Sequence, residues 1–292
     1  MQTETIRLGE FEQLSCKIAA AMLSIQTDAL LPRLLDLAQL VSPTETLTAF
    51  SFRLDARPTV LYDGEVDQYR TERVHFYTAG AYLLDPFYKA FQDGRRGAFR
   101  LGDIAPDDFF DSEYYRDYYK TIGVVDEVGF LIGMDRRTAI HISLATYKAD
   151  ETFSPSALEG IRALFPIFEA AIQSQWQSLP AVEGRVVPME SKTQALLQRA
   201  FWKFGSSVLT HREREIVRLT IQGHSAKSAA RVLAIAPGTV MNHKRHVYDK
   251  LEITSSNALF SLFMRSLAVA DFSPDLDPLE RLRVVEAQAY KN

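Results

Sequence analysis

The feature that most constrains this chain is a pair of short helical patterns divided by a tight break, over residues 209–262 (LTHREREIVRLTIQGHSAKSAARVLAIAPGTVMNHKRHVYDKLEITSSNALFSL). Ser225 can accept from a free backbone N–H in the first turn of a helix over 226–232. A break follows at 234–236. Pro237 then suits the first position of a second helix, where no N–H is needed. Turning successive residues by about 100° places Val240, Val247 and Leu251 on one apolar stripe. Asn242, Arg245 and Asp249 fall opposite, with Met241 and His246 on the flanks. Two helices so arranged form a helix-turn-helix, whose second helix lies in the major groove of double-stranded DNA and reads base edges.

Charge follows the same division. Residues 209–265 carry nine Lys or Arg against four Asp or Glu, while the remainder carries 24 against 33. His211, His224, His243 and His246 also lie in the basic segment. A mildly acidic chain with one basic module is suited to phosphate attraction in a single domain.

The order of residues here resembles the LuxR-type helix-turn-helix. The matching positions are Leu209-Thr210, Arg212-Glu213, Glu215-Ile216-Val217, Leu219, Gly223, Ser225, Lys227, Thr239-Val240, His243 and Lys250-Leu251. Three positions depart from the family pattern. Ala236 stands where a Ser or Thr is usual, which removes a side-chain N-cap with a contribution of about 1 kcal/mol. Met241 replaces the usual Lys after Thr-Val, and Ala229 replaces a larger aliphatic residue.

With 292 residues and 47% hydrophobic content, two globular domains with a sizeable core are expected. The lone Cys16 excludes an internal disulfide, fits a reducing compartment, and is expected as a small buried residue of a helix over 11–23. MQTETIRLGEFEQ lacks the basic-then-apolar order of a signal peptide, and no stretch approaches a membrane span, so a cytoplasmic protein is expected.

The first part of the chain alternates helices and strands. Helical periodicity covers 11–23, with Phe11, Leu14, Ile18, Ala21 and Met22 as its stripe, and 30–40. Strands are expected at 46–55, 59–63 and 98–101, helices at 68–78, 83–92 and 112–121, and an antiparallel hairpin at 127–134 and 139–147. Ser154-Pro155 opens a long helix to about 175. This pattern indicates an α+β fold with helices around one antiparallel sheet. Two prolines and a glycine in LPAVEGRVVP mark a linker, and Asp277-Pro278-Leu279-Glu280 a short helix over 278–289. The expected division is a sensing domain over 1–178, a linker over 179–190, a DNA-binding domain over 191–265 and a tail over 266–292.

Such an arrangement resembles one-component LuxR-type regulators, in which a PAS- or GAF-like N-terminal domain holds a small molecule. Tyr82–Pro86 (YLLDP) resembles the Tyr…Asp-Pro segment of acyl-homoserine-lactone receptors, and the resemblance implies that Asp85 accepts a hydrogen bond from the ligand. Glu72, Phe76 and Phe99 stand where those receptors have Trp, Tyr and Trp, and the chain's tryptophans lie elsewhere, at Trp176 and Trp202. Tyr114, Tyr115, Tyr118 and Tyr119, with Asp85, Asp103, Asp107, Asp108, Asp111 and Asp126 nearby in sequence, suit an organic cation such as an amine. A packed aromatic helix beside a solvated acidic loop accounts for the same residues more simply.

No P-loop, GxSxG elbow or HExxH motif is present, which disfavours an enzyme. No early strand ends in paired acids, which disfavours a phosphorylated receiver domain. His243 and His246 at i, i+3 lie within the second helix, where contact with phosphate or packing outweighs a shared metal.

The sequence therefore describes a transcription regulator with a small-molecule effector and no cofactor, expected to act as a homodimer on DNA with RNA polymerase as a further partner. Its expected DNA-facing residues are Lys227, Thr239, Met241, Asn242, His243, Lys244, Arg245, His246 and Lys250. Its expected pocket residues are Tyr82, Asp85, Phe99, Tyr118 and Ser143, with Asp85 either the ligand's polar anchor or merely the cap of the helix that follows.

Overall fold

A computed structural model describes residues 8–64, 77–78, 80–120, 122–148, 152–177, 199–269 and 276–289. The linker expected at 179–190 lies outside the described residues, as do Glu72, Phe76 and most of the helix expected at 68–78.

Five antiparallel strands form one sheet in the order β2-β1-β5-β4-β3: β1 (Thr46–Arg53), β2 (Thr59–Asp63), β3 (Gly97–Arg100), β4 (Asp126–Gly133) and β5 (Thr138–Thr146). The expected hairpin is β4–β5. Its turn is closed by the Asp135 carboxylate, which accepts from the backbone N–H of Arg137 at 2.6 Å and of Thr138 at 2.7 Å. Such side-chain capping of a turn is what Asp does best.

Strand periodicity divides the sheet into two faces. One face carries Leu47, Ala49, Val128, Phe130, Ile132, Ile140, Ile142 and Leu144. It packs against α1 (Leu8–Leu23), α2 (Leu30–Ala38) and α4 (Pro155–Gln175), the last capped by Ser154 as its sequence implies. The opposite face carries Thr48 and Phe50 on β1, His141, Ser143 and Ala145 on β5, and Glu127 and Gly129 on β4. Against it lie α3 (Pro86–Gln92) and the tyrosine-rich segment that precedes β4.

Two helical expectations change. The segment expected as one helix over 83–92 is a 3-10 turn (Ala81–Leu84) followed by α3, because Asp85, held extended at ψ 124° before Pro86, interrupts it. The segment expected at 112–121 is wound as a π-helix over Tyr115–Lys120. Cys16 is exposed rather than buried: α1 packs through Leu14, Ile18, Ala21 and Met22, and Cys16 lies off that stripe, as does the 56%-exposed Phe11. No described helix is long and apolar enough to cross a membrane.

The C-terminal part is all helical: α5 (His211–Ile221), α6 (Ala226–Leu233), α7 (Pro237–Leu251), α8 (Ser256–Ala268) and α9 (Pro278–Ala289). The expected terminal helix is α9, and it docks on this domain. Buried Asp277 accepts from the backbone of Gly205, Ser207 and Leu279 at 2.8–3.0 Å, and Leu279 and Leu282 are buried.

Gly129 sits where no side chain fits, since a Cβ there would lie 2.3 Å from the Phe87 ring and 2.6 Å from His141 Nε2. Gly129→Ala should therefore cost about 1–3 kcal/mol through overpacking. Urea denaturation monitors this, and a variant as stable as the wild type would contradict the packing described.

Candidate functional site

On the inner face of the sheet, alternation brings polar side chains to a place that is otherwise aromatic. Thr46 and Thr48 from β1, His141 and Ser143 from β5 and Glu127 from β4 line one wall of a cavity of about 60 Å³. Asp85, Tyr77, Tyr118, Tyr119 and Phe50 line the other sides. At roughly 15 Å³ per water position, that is space for a few non-hydrogen atoms.

The sequence around Asp85 explains its posture. Pro86 keeps it extended, so its side chain turns back to accept from the Phe87 N–H at 2.8 Å with one oxygen. The other oxygen accepts from the Tyr77 hydroxyl at 2.5 Å. Asp85 thus caps α3 and faces the cavity at once. Burial pushes its carboxyl up to about 6, against the bonds from Tyr77 and the backbone that pull it down.

Glu127 is the second buried acid. Burial raises its carboxyl to about 8, the nearby Asp85 charge adds to this, and hydrogen bonds from Ser143 and Tyr119 oppose it. Among the described residues no Lys or Arg pairs with either acid. Two interacting carboxyls titrate as a pair. Near neutral pH the pair therefore retains a proton and carries close to one negative charge.

His141 completes the floor. It is 2% exposed, stacked on Phe87 at 4.6 Å, and neither ring nitrogen has a hydrogen-bond partner among the described residues. Burial lowers it to about 3, so the ring is neutral and offers one donor and one acceptor. Tyr77, Tyr118 and Tyr119 supply an aromatic wall: Tyr118 stacks on Tyr77 at 5.6 Å and meets Tyr119 edge-on at 5.4 Å, and Tyr114 stacks behind Tyr118 at 5.6 Å. The π-helical turn is what presents both Tyr118 and Tyr119, adjacent in sequence, to the cavity.

Of the expected pocket residues, Asp85, Tyr118 and Ser143 meet around this cavity. Tyr82 is fully buried beside it, packed edge-on against Tyr88 at 4.8 Å. Phe99 lies on the edge strand β3 beneath the Arg95 guanidinium at 4.4 Å, away from the lining. The other acids grouped with Asp85 face elsewhere: Asp126 binds Arg100 at 2.6 Å, Asp103 meets Arg162 at 3.4 Å, and Asp107 lies against Ser225. Glu127, His141, Tyr77 and Thr48 escaped the sequence reading. Their signal was the polar residues at alternate positions of otherwise apolar strands, His141 and Ser143 in TAIHISLAT.

The second site is the helix-turn-helix, α6 and α7. α5 opens with the Thr210–Glu213 capping box, α6 is capped by Ser225, and α7 starts at Pro237 without a side-chain cap at Ala236. Val240, Val247 and Leu251 are buried as the wheel requires. Thr239, Met241, Asn242, Arg245 and His246 are exposed along α7, and Lys227 is exposed on α6. His243 and Lys244 are half-buried, the Lys244 ammonium 6.0 Å from the Tyr248 ring. Lys250 is committed to structure, bonded to both oxygens of Glu213 at 2.7 and 3.0 Å. Burial alone would raise the Glu213 carboxyl, but Lys250 and Thr210 hold it below the usual range. Among the described residues no His, Cys, Asp or Glu cluster could hold a metal ion.

Comparison with known proteins places these features. Residues 207–263 match the family described as bacterial regulatory proteins, luxR family. The HTH-type transcriptional regulator in the exeN 3′ region of Aeromonas salmonicida is 30% identical over 189 residues, 64% of this chain and 96% of that protein. The monoamine regulon transcriptional regulator of Klebsiella aerogenes is 29% identical over 151 residues, 51% of this chain and 54% of that protein. The solved LBD domain of VqsR from Pseudomonas aeruginosa is 25% identical, with 57% of this chain and 96% of that one covered and a TM-score of 0.49.

Both cavity carboxyls have folded-state values above those of the unfolded chain, 3.8 for Asp85 and 4.5 for Glu127. The folded protein therefore retains protons that the unfolded chain releases. This contribution to stability is complete below the unfolded values and is lost as pH rises through about 8. Ligand-free protein should lose stability from pH 5 to pH 9, and Glu127→Gln should flatten that decline. Denaturation midpoints across pH measure it, and an unchanged slope in the variant would contradict the assignment.

Proposed function

Because the chain belongs to the luxR family of bacterial regulatory proteins, we propose that it is a one-component transcription regulator, binding DNA as a homodimer and controlled by a small organic cation held between Asp85 and Glu127. It is a DNA-binding regulator rather than an enzyme. The observation that carries the ligand class is the pair of buried carboxyls, paired with no Lys or Arg among the described residues, at one tyrosine-walled cavity. A cation between them pairs with the ionised carboxyl and favours ionisation of the second, taking the place of the proton the pair retains, and the rings of Tyr77, Tyr118 and Tyr119 favour it further. His141 would pair with a hydrogen-bonding group on the same ligand. The likeness to a monoamine regulon regulator supports an amine.

In this reading residues 1–178 sense, 179–190 link, and 191–265 bind DNA, with 266–292 as a C-terminal tail. Asn242 and Arg245 read bases, while Lys227, Thr239 and Lys244 meet phosphates. One such module covers little DNA, so two-fold pairing on two half-sites supplies the rest of the affinity.

Two substitutions test the reading. Arg245→Ala should cost roughly 1–3 kcal/mol on the operator and relax preference at one base pair, whereas Lys227→Ala should weaken all sequences alike and flatten the salt dependence. Equal loss on specific and random duplexes for Arg245→Ala would contradict the assignment. In the pocket, Asp85→Asn retains a cap for α3, so folding should be preserved. Calorimetry with small amines should nonetheless show affinity falling by about 1.5 kcal/mol or more. Unchanged amine affinity would remove Asp85 as the anchor, and preferential binding of an acyl-homoserine lactone would replace the amine reading with the receptor-like one.

A further inference from the structure

The loop over 106–111 leaves the sensory half and lands on the helix-turn-helix. The Asp107 carboxylate accepts from the Ser225 backbone N–H at 3.2 Å and from the Ser225 hydroxyl at 2.8 Å, at the start of α6. The Arg231 guanidinium lies 3.7 Å from the same carboxylate. Next to it, the Asp108 N–H donates to the Gly223 carbonyl at 3.0 Å, and Lys244 of α7 draws on the Asp108 charge. Gly223, at φ +87°, permits the approach, since a Cβ there would lie 2.8 Å from the Phe109 backbone. Burial would raise the Asp107 carboxyl, but hydrogen bonds from Ser225 and Ser228 hold it below the usual range.

A carboxylate on a helix's first N–H, a hydroxyl and an Arg is bound as a phosphodiester would be. The first helix of a helix-turn-helix crosses the DNA backbone, and that is where these donors lie. We propose that Ser225, Ser228 and Arg231 form a binding site for a DNA backbone phosphate, and that in this conformation Asp107 of the same chain occupies it, so that the sensory loop and DNA exclude each other. This goes beyond the effector reading and rests only on the chain's being a DNA-binding regulator.

The mask is wired to the cavity. Phe109, fully buried, meets Tyr119 edge-on at 5.7 Å and Tyr115 at 5.7 Å, and Tyr119 lines the cavity wall. A ligand that draws the π-helical turn inward therefore pulls on the loop that carries Asp107. The covalent path is short, as only three residues separate Asp111 from Tyr115.

The test uses the full chain and a random-sequence duplex at low salt, without effector, read by fluorescence anisotropy. Asp107 is exposed enough that its replacement leaves the fold intact. Asp107→Ala should bind roughly three- to tenfold more tightly than the wild type, the equivalent of releasing one partly exposed charge-assisted contact. Adding Arg231→Ala should return most of that gain. Hydrogen exchange across residues 223–228 should rise in Asp107→Ala and fall again when duplex is added. Equal or weaker duplex binding by Asp107→Ala, with unchanged exchange at 223–228, would overturn the mask and leave the regulator standing. If neither protein bound any duplex, the mask and the DNA-binding reading would both fall.

Discussion

A carboxyl group on the inner face of a sheet, with no Lys or Arg paired to it among the described residues, is the constraint around which the sensory half is arranged. Glu127 holds that place, and Asp85 approaches it from the start of α3. Removing an uncompensated charge from water is costly, and proteins meet the cost by retaining the proton or by pairing the charge. Both acids are raised in this way, and both collect the hydroxyls within reach: Tyr77 for Asp85, Ser143 and Tyr119 for Glu127. Natural cores rarely keep such groups without use. A cavity whose walls are acids, phenols and a neutral imidazole with no bonded partner has the chemistry of a binding site more than that of a packing defect.

The sheet makes the site possible by separating its faces. The face toward α2 and α4 is apolar across its centre, with Phe130, Ile140, Ile142 and Phe168 without solvent contact. That leaves the opposite face free to carry Thr48, His141, Ser143 and Glu127 at a tolerable cost. Gly129 fits the same design, as its missing side chain lets Phe87 and His141 stack over the strand.

How much of this was legible in the sequence differs between the halves. The helix-turn-helix was readable to the residue, because capping by Thr210 and Ser225, Pro237 at a first turn and the Val240–Val247–Leu251 stripe are all local signals. The strands and the β4–β5 hairpin were readable for the same reason. The pocket was legible only in part. Asp85 and Tyr118 stand out by composition, but Glu127 and His141 become neighbours only through strand register, a long-range property that local pattern does not encode. Phe99 was placed by analogy of position, and the edge strand carries it to the Arg95 side instead. Cys16 shows the converse, a residue of commonly buried type left outside because α1 contributes only one narrow stripe to the core.

The most direct test of the account is a comparison of two isosteric probes, a compact primary amine and the alcohol of equal size, titrated into the full chain by calorimetry in buffers of different ionisation enthalpy. The cavity pair retains a proton near neutral pH, and an arriving cation should expel it. The account predicts that the amine binds, that the alcohol binds far more weakly, and that amine binding releases a proton to buffer between pH 6 and pH 8. Equal affinity for both probes, or amine binding with no proton released, would contradict it.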